Sequence, residues 1–196
     1  MANFISIFRI FLMFIAVYLI LAMPQSVCAY IWALVLTILA FALDGVDGWV
    51  ARKFNEVSKL GALLDIMGDR IVENTYWILF AVQGWLSILF PLIAITRGFI
   101  TDTIRSAAME KGYTPFGMQQ NPVCKFITGS KFMRISYAVA KVLAFMLLIV
   151  VNTPGMELWS GTPLLHTITM IFAWAAIIFC VVRAIPVVVE SPKLFN

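Results

Sequence analysis

The sequence predicts an all-α integral membrane protein of six transmembrane helices, with its acidic cluster on the cytoplasmic side. Three observations carry this expectation. Of 196 residues, 62% are hydrophobic and 12% are charged, whereas soluble domains hold about 45–50% apolar and about 25% charged residues. The apolar residues gather in six segments close to the ~20 residues that cross a bilayer as a helix. Lysine and arginine are absent from one set of alternate connections between those segments, as topology in a membrane favours.

The first span runs from about Ile5 to Met23 and is stopped by Pro24. Arg9 lies near its start, where a long side chain can snorkel to the interface. A signal peptide needs a cationic start and a small-residue cleavage site, which "LAMPQSVCAY" supplies poorly, so this segment is expected in the mature protein. The second span begins at Cys28 and continues as helix through an acidic stretch to Arg52. The third covers about Gly61 to Val82, the fourth Leu86 to about Arg105, the fifth Phe132 to Val151 and the sixth Leu164 to about Val189. Pro24, Gly84 and "NTPGMELWSGTP" make the turns on one side, and "KFNEVSK" and "EKGYTPFGMQQNPVCKFITGSK" those on the other. The whole chain, residues 1–196, reads as one membrane domain without repeats.

Connections 24–27, 83–87 and 152–163 contain no Lys or Arg, and all fourteen basic residues fall on or next to the opposite side. The positive-inside bias therefore puts both termini and the two polar loops on the cytoplasmic face of the cell membrane. It also accounts for the net charge of +4 without any nucleic-acid partner. Cys28, Cys124 and Cys180 are odd in number and lack metal-ligand spacing, so they read as buried small apolar side chains. Trp32, Trp85 and Trp159 are placed as an interfacial belt.

Half of the ten acidic residues, Asp44, Asp47, Glu56, Asp65 and Asp69, lie within "LDGVDGWVARKFNEVSKLGALLDIMGDR", residues 43–70. Asp44 and Asp47 are separated by about 60° around a helix, and Asp65 and Asp69 by about 40°. Each pair projects from one face, and the short connection lets the two helices lie antiparallel with those faces opposed. Four carboxylates then converge and repel one another, and a charge within a membrane span costs about 2.5–3.5 kcal/mol on insertion scales. Arg52 and Arg70 offset part of this. Ligation by oxygen alone suits hard divalent ions, Mg²⁺ or Mn²⁺, better than Zn²⁺. Gly45, Gly48 and Gly61 cost helix stability and leave a smooth strip where a ligand or another backbone can approach; close packing of helices through small residues is the plainer use.

The pattern D-x2-D-G-x2-A-R-x8-G-x3-D-x3-D is complete as Asp44, Asp47, Gly48, Ala51, Arg52, Gly61, Asp65 and Asp69, and it resembles the CDP-alcohol phosphatidyltransferases. Eight fixed positions with fixed gaps make a specific signal. The resemblance implies a role in phospholipid biosynthesis: CDP-diacylglycerol gives its phosphatidyl group to a small alcohol, and CMP is released. It further implies two Mg²⁺ or Mn²⁺ ions that stabilise an in-line displacement, held by Asp44, Asp47, Asp65 and Asp69. Asp69 would also be the base for the acceptor hydroxyl. Asp44, Gly48, Ala51, Arg52 and Gly61 would contact the CDP-lipid. Members of this family are commonly homodimers.

For the acceptor, Arg97, Arg105, Lys111, Lys125, Lys131 and Arg134 surround the connection between the fourth and fifth spans, and Arg183 ends the sixth. Topology and lipid headgroups explain Lys111, Lys125 and Lys193. Arg105, Lys131, Arg134 and Arg183 are the candidates for an acceptor phosphate. "RGFITDTIRSAAMEKG" and "NFISIFRIFL" are similar to phosphatidylglycerophosphate synthases, which use glycerol 3-phosphate. "DIMGDR" and the Gly98 that follows Arg97 depart from their pattern, the former toward members that use inositol phosphate. A cation transporter is the non-enzymatic alternative, since intramembrane carboxylates also mark ion pathways.

Overall fold

The computed structural model describes residues 2–53, 59–110, 121–155 and 163–191. Among the described residues the protein is all helical, with seven helices: α1 (Ala2–Ala22), α2 (Val27–Lys53), α3 (Lys59–Val82), α4 (Leu89–Glu110), α5 (Pro122–Gly129), α6 (Lys131–Val151) and α7 (Pro163–Glu190). Four of them, α1, α2, α6 and α7, are long and apolar enough to cross a membrane, which makes this a multi-pass membrane protein. Helices α3 and α4 have comparable length but carry Asp65, Asp69, Arg70 and Glu73, and Arg97, Asp102, Arg105 and Glu110.

The distribution of apolar side chains is that of a protein whose outer solvent is hydrocarbon. Phe4, Val82, Phe99, Phe132 and Leu164 are each about 70% exposed, where a water-soluble fold would bury residues of this kind. The interior is lined by small and aromatic side chains instead, which let helices approach closely where lipid supplies no hydrophobic drive between them. Cys180 is buried as expected, whereas Cys28 is exposed and Cys124 half-buried. The apolar outer face of a membrane helix tolerates a cysteine as readily as its core does.

The chain divides into two compact units, Met1–Leu86 with Phe145–Thr169, and Ser87–Ala144 with Met170–Asn196. In the first, α1 packs along α2 and also against α3. Ala16, Ala29, Ala33 and Ala40 are buried there. Its centre is aromatic. The Phe145 ring lies 5.3 Å from Tyr76, 4.8 Å edge-on to Trp77 and 5.5 Å from Phe80. The Tyr76 hydroxyl shares a 2.6 Å hydrogen bond with Thr37 Oγ1, so the one polar atom of this ring is satisfied. Trp85 stacks on Phe80 at 5.5 Å and packs against Tyr30, so it closes this core in addition to any interfacial role. Trp32 is exposed, and Trp159 lies outside the described residues.

In the second unit, Phe90 packs on Trp174 at 4.9 Å. Ala108 and Val187 are buried together with Ile104 against them. The Arg97 Nε donates to the Cys180 carbonyl at 3.1 Å.

Two boundaries differ from the sequence expectation. The fourth span begins at Leu89 rather than Leu86, because α3 ends in a turn that uses the intervening residues. Gly84 N–H donates to Ala81 O and Trp85 N–H to Phe80 O, the paired bonds of a left-handed helix terminus, and Gly84 has φ of 74°. Ser87 Oγ then accepts from Leu89 N–H. The second difference is α5, which falls within a connection read as irregular. Asn121 Oδ1 accepts from Val123 N–H at 3.1 Å with Pro122 at the first helical position. These are ordinary helix-start signals, overlooked beside the longer apolar runs. Glu190 Oε1 at the end of α7 accepts from Asn121 N–H at 3.0 Å, which anchors that start.

No heavy atom stands within 4 Å of a Cβ built on Gly84, so Gly84→Ala should cost only the left-handed backbone penalty, about 1–2 kcal/mol. A thermal melt of the detergent-solubilised protein should show a correspondingly lower midpoint.

Candidate metal and anion sites

Asp44 occupies α2 near its polar end, and Asp65 and Asp69 follow each other by one turn of α3. One carboxylate oxygen from each lies within 4.8 Å of the other two. The i, i+4 spacing of Asp65 and Asp69 puts them on one face, and the packing of α2 beside α3 brings Asp44 to it. Oxygens around a Mg²⁺-sized ion at about 2.0–2.1 Å lie about 3–4 Å apart. The all-oxygen donor set suits a hard divalent cation in chemistry, and at separations up to 4.8 Å a small inward shift of the carboxylates brings them onto one ion. Gly61 sits one turn before Asp65 on the same face of α3 and is half-buried.

Asp47, Gly48, Ala51 and Arg52 continue α2, but their side chains lie outside the described ones. The same holds for the connection 54–58 and for Lys111 and Lys193. The convergence expected of four carboxylates is thus described for three.

Arg9 was expected to snorkel to the interface, and it does not. Its side chain is 2% exposed and turns inward to the carboxylates. Nη1 pairs with Asp44 Oδ1 and lies 3.1 Å from Asp69 Oδ1. Nη2 lies 3.2 Å from Asp65 Oδ1 and donates to the Asp65 carbonyl at 3.1 Å. A single guanidinium thus touches three acidic side chains on two helices. The physical reason is electrostatic: the nearest dense negative charge attracts the cation more strongly than a distant headgroup region can. Sequence reasoning missed this residue because nothing local to α1 marks it. Its partners are 35 or more positions away.

The second group of charges belongs to the other unit. Arg97 and Arg105 lie eight residues apart on α4, Arg134, Tyr137 and Lys141 share one face of α6, and Arg183 is on α7. The buried Tyr137 ring carries three cations: Lys141 Nζ at 5.2 Å, the Arg183 guanidinium at 5.5 Å and that of Arg97 at 6.0 Å from its centroid. Arg97, Arg105 and Arg134 are all near enough for their charges to act on Arg183. Of the four residues expected to meet a phosphate, Arg105 and Arg134 are thus within electrostatic reach of Arg183. Lys131 stands exposed in the first turn of α6. Tyr137 and Lys141 had not been singled out, although the i, i+3, i+7 spacing from Arg134 was visible.

The family model described as CDP-alcohol phosphatidyltransferase matches residues 1–182. A stretch of 77 residues, 39% of this chain, is 34% identical to the CDP-diacylglycerol–glycerol-3-phosphate 3-phosphatidyltransferase of Mycoplasma pneumoniae and covers 34% of that protein. A shorter stretch of 37 residues, 19% of the chain, is 57% identical to CDP-diacylglycerol–inositol 3-phosphatidyltransferase 1 of Arabidopsis thaliana and covers 16% of it. Similarity to the cardiolipin synthase (CMP-forming) of Streptomyces coelicolor extends over 149 residues at 28% identity, 74% of this chain and 58% of that one. The matched stretches thus span less than two thirds of each relative's length.

Tyr137→Leu keeps the apolar bulk and removes the ring face shared by the three cations. With cation–π attraction worth about 0.5–2 kcal/mol, the variant should melt earlier than wild type, and the gap should narrow when an inorganic phosphate salt screens the cations.

Proposed function

The chain belongs to the CDP-alcohol phosphatidyltransferase family, and we propose that it transfers the phosphatidyl group of CDP-diacylglycerol to a small phosphorylated alcohol, glycerol 3-phosphate before others, with release of CMP. The observation that carries this reading is the meeting of Asp44, Asp65 and Asp69 from two helices, at positions of a motif that is complete in the sequence. Family membership favours an enzyme over the cation-transport alternative.

In this reading Asp44, Asp47, Asp65 and Asp69 hold two divalent ions, Mg²⁺ or Mn²⁺, which when bound neutralise the diphosphate and the leaving group. Asp69 accepts the proton of the acceptor hydroxyl. The acceptor oxygen then forms its bond to the phosphatidyl phosphorus as the bond from that phosphorus to the CMP oxygen breaks. Asp44, Gly48, Ala51, Arg52 and Gly61 orient the cytidine diphosphate, with the glycines and Ala51 leaving room for it and Arg52 reaching a phosphate. Arg105, Lys131, Arg134 and Arg183 take the acceptor's phosphate. The mutual repulsion of clustered guanidiniums supports this, because a dianion relieves it. Six spans with α3 and α4 among them, both termini at the cytoplasmic face of the cell membrane, one catalytic domain over 1–196 and a homodimeric assembly complete the proposal.

An inositol-phosphate acceptor is the second reading. The "DIMGDR" segment and the 57% identity with the Arabidopsis relative over 37 residues favour it. The name of the Streptomyces relative adds cardiolipin formation as a third product class to test.

Two measurements check the proposal. Lipid-dependent CMP release in the presence of Mn²⁺ should fall to background in Asp69→Asn while the protein stays folded; activity near wild type in that variant would remove Asp69 from the role of base. In a panel of glycerol 3-phosphate, inositol 1-phosphate, inositol, serine and phosphatidylglycerol, the phosphorylated small alcohols should be used best. Arg134→Gln should then raise KM for the preferred one roughly tenfold or more, the scale of one lost charge-assisted hydrogen bond, and exclusive use of an uncharged alcohol would overturn the phosphate site.

A further inference from the structure

The geometry points to Arg9 as a positioning residue of the carboxylate cluster: a built-in counter-cation that holds Asp44, Asp65 and Asp69 together in the metal-free protein and gives way to divalent ions as they bind. This rests on the metal-dependent reading above. Three observations support it. First, the side chain is 2% exposed although its helix is one of the most apolar of the chain, so no interfacial water compensates it. Second, its terminal nitrogens reach all three carboxylates and the Asp65 carbonyl, while Nε has no hydrogen-bond partner. A simple staple between two helices would need one carboxylate. Third, the space it occupies is kept by Gly68, the residue before Asp69. A Cβ there would come within 2.9 Å of Arg9 Nη2 and 3.4 Å of Nε.

One guanidinium does not match the three carboxylates it touches, so they stay attractive to a dication even with Arg9 in place. The dication and the guanidinium are nevertheless like charges a few ångströms apart, drawn to the same oxygens, and each weakens the hold of the other. Arg9 therefore stabilises the metal-free state and lowers metal affinity. Without it the carboxylates lose this buried cation and the metal loses this competitor. The guanidinium also ties α1 to the chemistry: a shift of charge at the cluster is felt by a helix that contributes no ligand.

Full-length protein in detergent, wild type and Arg9→Gln, should be melted with and without saturating Mn²⁺, and its Mn²⁺ affinity measured by electron paramagnetic resonance titration. Arg9→Gln should lower the metal-free midpoint, Mn²⁺ should restore the greater part of that loss, and Mn²⁺ should bind roughly tenfold more tightly, the scale on which neighbours of metal ligands act. Gly68→Ala pushes the guanidinium aside without removing its charge. It should move both readouts in the same direction by a smaller factor, and it carries the test alone if Arg9→Gln does not fold. Equal loss of midpoint with and without Mn²⁺, or affinity unchanged or weaker in the variants, overturns the role of Arg9 and leaves the metal site standing. Wild-type protein that takes up no Mn²⁺ overturns both.

Discussion

Compensation of negative charge among apolar helices is the constraint on which the rest of the first unit depends. Asp44, Asp65 and Asp69 are drawn to within 4.8 Å of one another on helices whose outer faces are phenylalanine, leucine and isoleucine. Unpaired, such a group would repel itself apart and pull water into the bundle. The helices can pack with the cluster intact because α1 delivers a guanidinium into it. A buried ion pair of this kind contributes little net stability once desolvation is counted, yet removing one partner is costly because the other is left bare. Its value is therefore specificity of arrangement. Arg9 joins α1 to α2 and α3 at the cluster, in the same unit as the aromatic core around Phe145 and Tyr76.

The second unit sets the opposite problem and answers it differently. Arg97, Arg105 and Arg134 each bear on the charge of Arg183 among helices α4, α6 and α7. Part of the excess is met by the face of Tyr137 and by the Cys180 carbonyl. A ring quadrupole and a neutral carbonyl orient cations without cancelling them. In the proposed reading these cations are where the acceptor's anion is received.

Family membership and acceptor choice rest on different kinds of residue. Membership follows from backbone-compatible glycines and carboxylates at fixed gaps, and it is the same for every member whatever alcohol it uses. In the proposed reading acceptor choice rests on a few cations, since long side chains from several helices can reach one anion. This is why relatives named for glycerol 3-phosphate and for inositol both resemble this chain.

The sequence by itself determined the helical character, the membrane setting, the acidic motif and the family. Each of these is written in local terms: runs of apolar residues, turns at Gly84 and Pro24, carboxylates three and four residues apart. Helix periodicity alone put Asp65 and Asp69 on one face. Only the tertiary structure decided the partner of Arg9, the use of Gly68 as the space for it, and the gathering of Arg97, Lys141 and Arg183 on Tyr137. Apart from Lys141, one turn from Tyr137 on the same helix, those contacts join residues 35 to 60 positions apart, on helices whose relative rotation no local pattern specifies. The short α5 was legible in "NP" and was passed over for its length. The rest was hidden because a charge finds its partner through space, by energy that falls with distance and dielectric, and a linear chain does not record that distance.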